Sequence, residues 1–387
     1  MKKLTKVLAL IMVLALAICS MTACSSKKAA SYTVDDLLQK DWTEIEKLAK
    51  EEGSLVFTSW YNEAGYTELL NAFSAKYGIK VELAVADAEA FAQKALAEKA
   101  SNVGTIDVAL IGNQIKTLLD GQVLAGPILD KINDENIIAE DACKYQEGIE
   151  THGMVVPYYY NQTGILYNSA VVPFEEVPQT FEELEAWIDS HPGRFGYNIP
   201  EKGGSGQSFC HLVLTTLSGG LEPYYASTEE NTALTDQWSK GWEWLKSRKD
   251  IMVITQGNND SISRLNQGEI DMTIAWNDDL DVCRKDGEIG PEALLTVPKM
   301  GLAGGGDSMG VLKNAPHKAA ALLFIEWCAS LEGQQAMVDI IAGIPVRTDM
   351  DGLSGGLTLA DMENRVAWFP IVYKTKMNRD FNVEVLG

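Results

Sequence analysis

The chain has 387 residues, with 32 Lys and Arg against 54 Asp and Glu, for a net charge of −22 at pH 7. That length suits two domains or lobes, each large enough to bury a core. The acidity argues against nucleic acid as a partner and against electrostatic docking on anionic lipid, because both need a basic face.

Lys2, Lys3 and Lys6 begin the chain, an unbroken apolar run covers 7–18, and the segment closes on Ser20-Met21-Thr22-Ala23-Cys24. The run is too short to span a bilayer alone, and the layout reads as a secretory signal peptide over 1–23. Residues 24–34, starting Cys24-Ser25-Ser26-Lys27-Lys28, read as a short polar tether. Helical periodicity follows over 35–51 through Leu37, Leu38, Trp42, Ile45 and Leu48, and Gly53 ends it. Residues 54–60 form an apolar strand, 66–77 a helix stopped by Gly78, 79–85 a strand, 91–100 a helix and 106–111 a strand. Strand alternating with helix implies parallel pairing and an α/β domain.

The middle is organised alike. Runs 155–160 and 164–168 read as two strands around Asn161-Gln162-Thr163, and Thr180 caps a helix over 181–190. Residues 195–199 are strand-like, and Gly203-Gly204-Ser205-Gly206 leads into a helix over 207–217. Further on come helices at 238–247 and 261–266 and strands at 252–255, 270–276 and 294–298. The Gly-rich stretch 301–306 precedes a strand at 309–312, then helices at 317–331 and 334–341. No repeat of fixed period is present.

Cys143, Cys210, Cys283 and Cys328 are isolated, without Cys-x-x-Cys spacing, so buried thiols and a disulfide both remain open. His152, His191, His211 and His317 show no metal-ligand spacing, and neither a metal nor a cofactor is expected.

Small residues before Cys24 and a polar tether after it resemble the bacterial lipoprotein signal. Cleavage there would leave Cys24 as a lipidated N-terminus and tie the protein to a membrane surface. Behind it, five segments in order resemble the extracellular solute-binding proteins of bacterial ABC importers, the group that includes polyamine, iron and thiamine binders. They are SLVFTSWYNEAGYTELLNAFSAKYGIKVEL, VPYYYNQTGILYN, LNQGEIDMTIAWNDD, SMGVLKNAPHKAAALLFIEWCASLEGQQ and GIPVRTD. The resemblance implies an α/β, two-lobed periplasmic-binding-protein fold of type II, with lobes joined by crossing hinge strands near 160–164, 296–299 and 343–346. Lobe 1 would take 35–161 plus 299–343, and lobe 2 would take 162–298 plus 344–387. The implied role is capture of a small solute and delivery to ABC permease subunits, by a monomer at the cell surface or in the periplasm.

Ligands of open α/β sheets bind beyond the carboxyl ends of strands, so residues there are the candidates. Trp60 and Tyr61 follow the first strand; an indole there offers a stacking or cation-binding wall, and polyamine binders carry a Trp at this point. Asn113 follows the third strand, and Tyr160 is the tyrosine of 158–160 placed at the first crossing. Ser205 and Gln207 sit in a Gly/Ser-rich turn into a helix, where free N–H groups favour an anion. Polyamine binders place acids near that turn, and this chain has none between Gly203 and Ser208.

Trp276, Asp278 and Asp279 follow another strand, where paired carboxylates beside an indole suit a cation, and Trp-x-Asp matches polyamine binders. Asp307 lies in Gly304-Gly305-Gly306-Asp307-Ser308, a further cleft-loop candidate. Acids and an anion-binding turn together suit an amine-bearing or zwitterionic solute. A surface hydrolase is the contrasting reading, but Asp278 and Asp279 are adjacent, whereas glycoside hydrolysis needs carboxylates on opposite sides of a bond. No His-Glu-x-x-His string or P-loop occurs. A ligand-sensing receptor of the same fold remains open on sequence alone.

Overall fold

The structure, a computed structural model, describes residues 32–59, 64–133, 138, 143–226, 229–350 and 354–387. Cys24 therefore lies outside the described residues, as do Trp60 and Tyr61.

Local signals set the first elements. Asp41 accepts from the Glu44 N–H to start the helix Trp42–Glu52, and Gly53 ends it at φ 77°, a conformation that favours glycine. Strand β1 (Ser54–Ser59) then pairs in parallel with β2 (Lys80–Val85) on one side and β3 (Val108–Leu110) on the other. The helices Ala64–Tyr77 and Ala88–Ser101 make the crossovers, as the alternation requires. Short strands β4 (Leu124–Ala125), β5 (Tyr145–Gln146) and β6 (Ile149–Glu150) follow, the last two forming a hairpin.

Strand β7 (Val156–Asn168) is the first crossing. Two strands around a turn were expected here, and the structure makes one. Gln162 and Thr163, polar residues that read as a turn, are fully buried because their side chains bond the neighbouring backbone. Gln162 Nε2 donates to the Leu302 carbonyl at 3.0 Å, and Thr163 Oγ1 to the Ala303 carbonyl at 2.7 Å. Most buried polar groups are satisfied in this way, although Gln162 Oε1 has no partner among the described residues.

Beyond the crossing, β8 (Phe195–Asn198), β9 (Val253–Thr255) and β10 (Met272–Trp276) build a second sheet region, and β11 (Ala293–Thr296) pairs antiparallel with β7. The chain returns through β12 (Leu302–Leu312). Here the Gly-rich run, expected as a loop, is strand. A Cβ on Gly304 would stand 2.1 Å from Gln162 Oε1, so a side chain does not fit where the two crossing strands meet. Strands β13 (Ile344–Pro345) and β14 (Arg365–Val366) complete a 12-stranded sheet, ordered β2-β1-β3-β12-β7-β10-β8-β9 with the others on β7 and β12.

Two hydrophobic cores result. The first draws on 34–159 and 309–346, the second on 165–302, Ile344 and 357–385. The helix Ile371–Phe381, for which the sequence reading set no element, buries Tyr373, Met377 and Phe381 in the second. Cys210, Cys283 and Cys328 are buried free thiols. No helix among the described residues is long and apolar enough to cross a membrane.

Candidate functional site between the two lobes

The carboxyl ends of strands from both lobes lie beside the crossing strands. In β3, Leu110 pairs with Met309 of β12, and in β10, Trp276 pairs with Thr163 of β7. Loops and helix starts that follow these strands therefore converge on the junction, where unpaired N–H groups are available.

A cavity of about 680 Å³ opens there. The first lobe supplies Tyr145, Gln146, Glu147 and Gly148 from the β5–β6 hairpin, with Pro157, Tyr159, Asp307 and Ser308. The second lobe supplies Tyr225 and the run Arg365, Val366, Ala367 and Trp368; Tyr160 and Gly304 to Gly306 form the floor on the crossing strands. Such a volume accommodates a small organic solute.

One wall is acidic and amide. The β7–β12 register shifts between Asp307 and Ser308, which turns the Asp307 carboxylate back on the backbone. Asp307 Oδ1 accepts from the N–H groups of Ser308 at 2.7 Å and Gly112 at 2.9 Å, and from Gln146 Nε2 at 3.3 Å. Asp307 Oδ2 and Gln146 Oε1 are buried without a hydrogen-bond partner among the described residues. Burial pushes the Asp307 carboxyl up from 3.8 to about 7, against the opposing pull of its N–H donors.

The facing wall is cationic and aromatic. The Arg365 guanidinium lies 4.7 Å from the centre of the Tyr160 ring, and its Nη2 donates to the Gly305 carbonyl at 2.6 Å. Burial holds the Arg365 pKa below the ordinary guanidinium value. The Lys374 ammonium sits 4.0 Å from the centre of the Trp368 ring. It also pairs with Glu147 of the opposite lobe at 3.6 Å, closing one rim of the cavity.

On another side of the crossing strands, a gap of about 30 Å³ separates Tyr66, Tyr159 and Ile341 from Asn259, Asp278, Asp279 and Val282. Asp278 and Asp279 start the helix Asn277–Lys285, where carboxylates favour the helix dipole. Asn161 Nδ2 donates to Asp278 Oδ2 at 3.3 Å, and the Gln162 N–H to Asn277 Oδ1 at 2.7 Å, which ties this helix start to β7.

The expected residues thus separate. Tyr160 and Asp307 line the large cavity, and Asp278 and Asp279 the narrow gap. Trp276 is buried behind the large cavity's wall, packed on Ala303 and Trp368; a Cβ on Gly204 would stand 2.8 Å from its ring. Ser205 Oγ is bonded to Asn198 Oδ1 at 2.5 Å and Asn258 Oδ1 at 2.8 Å. Gln207 Nε2 donates to the Pro200 carbonyl at 2.9 Å. Asn113 accepts from Gln114 Nε2 at 3.0 Å in a short 3₁₀ turn, Gly112–Gln114. These last three line neither opening.

Sequence reasoning did not pick out Gln146, Glu147, Tyr225, Arg365 or Trp368. It also expected no Gly-x-Ser-x-Gly elbow, yet Gly352-Leu353-Ser354-Gly355-Gly356 has that spacing. Ser354 Oγ donates to Asp281 Oδ2 at 2.8 Å, and the Gly355 N–H reaches the same oxygen at 2.6 Å, a structural contact rather than a catalytic one.

A family model, bacterial extracellular solute-binding protein, matches residues 68–356. The chain belongs to this family. The solute-binding protein shares the type II two-lobed fold of solved structures that are distant in sequence. It is similar to iron-bound HitA from Pseudomonas aeruginosa at 20% identity and a TM-score of 0.61, covering 84% of this chain and 98% of that one. It is similar to the spermidine/putrescine substrate-binding protein PotD from Streptococcus pneumoniae at 18% identity and a TM-score of 0.59, covering 84% and 91%. A periplasmic thiamin binding protein matches at 15% identity and a TM-score of 0.58, covering 86% and 96%. A search of curated proteins finds none that matches the chain. Members of the family bind solutes for ABC transporters and are not enzymes. Among the described residues, no group of three or more His, Cys, Asp or Glu is placed to hold a metal ion.

Proposed function

We propose that this solute-binding protein captures a small amine-bearing or zwitterionic solute between its lobes and hands it to an ABC permease. The observation that carries the reading is the Asp307–Gln146 wall. Two buried oxygens, Asp307 Oδ2 and Gln146 Oε1, lack donors among the described residues, and each such atom costs about 1–3 kcal/mol. An ammonium pressed against that wall supplies the missing donors and a charge for the carboxylate. Aromatic faces at Tyr160 and Trp368 suit the rest of the solute. Asp278 and Asp279, across the narrow gap, add negative potential at the same junction. The separate cores support a division close to 35–161 plus 299–343 and 162–298 plus 344–387, the lobes that would close on the solute, with Leu302 and Val346 each packing in the other lobe's core.

A thermal-shift panel of amines, amino acids, thiamine esters and neutral sugars tests this reading. A ligand at about 100 times its dissociation constant adds about 2.7 kcal/mol to the folded state, a readily measured shift. Stabilisation by amine-bearing members is the expected result; stabilisation by neutral sugars alone would discard it.

The same proposal includes a lipid on Cys24 that holds the protein at the membrane as a monomer, supported by the small residues before Cys24 and the polar tether after it. Two acyl chains anchor stably where one does not. Cys24→Ser is expected to move the protein from the membrane fraction to the soluble fraction, and unchanged membrane fractionation would rule the anchor out.

A further inference from the structure

We propose that Arg365 is the anion-recognising arm of the large cavity and takes a carboxylate of the solute. This rests on the reading above that the cavity is the solute site, and it adds what stands opposite the amine.

The first observation is a census of arginines. The chain has seven, all among the described residues. Arg194, Arg248, Arg264, Arg284, Arg347 and Arg379 each pair with a carboxylate. Arg365 has no ion-pair partner among the described residues, in a chain whose acids outnumber its bases 54 to 32. A guanidinium offers five N–H donors; among the described residues that of Arg365 makes one hydrogen bond, to the Gly305 carbonyl. Leaving a cation partly desolvated and unpaired is unfavourable unless something else supplies the counter-charge.

The second observation is how the surroundings keep the fork in place and open. Strand β14 pairs in parallel with Leu302 and Ala303, which brings the C-terminal segment onto the crossing strand. The Tyr160 ring supports one face of the guanidinium. Gly304 leaves the room it needs, since a Cβ there would stand 2.4 Å from Arg365 Nε. Arg365 and Trp368 line the cavity together, and Asp307 and Gln146 line it from the other lobe. A planar fork matches a carboxylate through two parallel N–H···O bonds, a fit that an ammonium or a spherical ion lacks. Arg365 and Trp368 lie beyond 356, where the family match ends. The lowered pKa of Arg365 accords with a charge that burial leaves uncompensated.

The test uses matched pairs on the full mature protein, measured by thermal shift and titration calorimetry. Each amino acid, with 4-aminobutyrate, is compared with the amine left when its carboxylate is removed, and with the corresponding aminophosphonate. At least one amino acid is expected to bind ten times or more tighter than its decarboxylated amine. Arg365→Gln should abolish that preference, and Arg365→Lys should keep only part of it. Without solute, Arg365→Gln should unfold at the wild-type midpoint or above it, because it removes an unpaired charge; a merely structural arginine would lower the midpoint. Binding confined to amines would overturn the carboxylate arm and leave the proposed amine site standing. Preference for the aminophosphonates, or equal amino-acid affinity in Arg365→Gln, would also overturn it. No binding by any amine or amino acid would overturn both.

Discussion

Asp107→Ala is expected to lower the stability of the first lobe by about 3–5 kcal/mol, the typical cost of removing one partner from a buried charged network. Asp107 is fully buried at the start of β3, and its carboxylate joins three elements. Its Oδ2 accepts from the Val56 N–H of β1 at 2.8 Å and meets His317 Nδ1 at 3.0 Å. Its Oδ1 accepts from the His317 N–H at 2.7 Å, at the entry to the buried helix Lys318–Ala329. Alanine removes the acceptor of the Val56 N–H and of both His317 donors, at a side chain that is itself fully buried. The central helix of the lobe and the strand carrying the Gly112 turn would then loosen together. Urea unfolding followed by tryptophan fluorescence reads the effect, since Trp327 lies in this core. A midpoint equal to wild type would show that Asp107 does not organise the lobe.

The parallel order of the first lobe was legible in the sequence because each element there carries its own local signal. Strands such as 54–59 are apolar runs, helices have caps such as Asp41, and Gly53 stops a helix. The crossing strands were legible in position but not in form. Gln162, Thr163 and Gly304 to Gly306 have turn-like propensities, and only a partner strand from far along the chain makes them extended. The site divides in the same way. Tyr160 and Asp307 could be named because they adjoin the crossings. Ser205 follows β8 and Trp276 ends β10, yet tertiary partners occupy their polar atoms or faces: Asn198 and Asn258 for Ser205, Trp368 for Trp276. Arg365 is a lone cation in an aperiodic segment, and its meaning depends on a contact with Gly305, 60 residues earlier. Gln146 and Glu147 sit at a hairpin tip, where polar residues are ordinary.

Asp307→Asn is expected to stabilise the protein without solute at high pH while weakening solute binding about 30-fold or more. With a folded pKa of about 7 against 3.8 in the unfolded chain, the folded state holds a proton that the unfolded state has released between those values. Stability from this group is therefore complete below about pH 4 and declines as pH rises toward 7, at about 1.4 kcal/mol per unit. The loss has an upper bound of about 4 kcal/mol. Asparagine keeps an oxygen for the Ser308, Gly112 and Gln146 donors and has no charge to bury, so this pH slope should vanish. Thermal midpoints should agree near pH 4 and diverge toward pH 8, with the variant higher. Binding runs the opposite way, because an ammonium pairs with the ionised carboxylate and repays its desolvation. Wild-type affinity for an amine-bearing solute should strengthen between pH 5 and 8, and the variant's should stay weak and flat. Loss of one partner of a desolvated pair costs about 2–5 kcal/mol, which sets the expected fold-change. Parallel pH profiles for the two proteins, in stability or in binding, would remove Asp307 from the recognition of the amine.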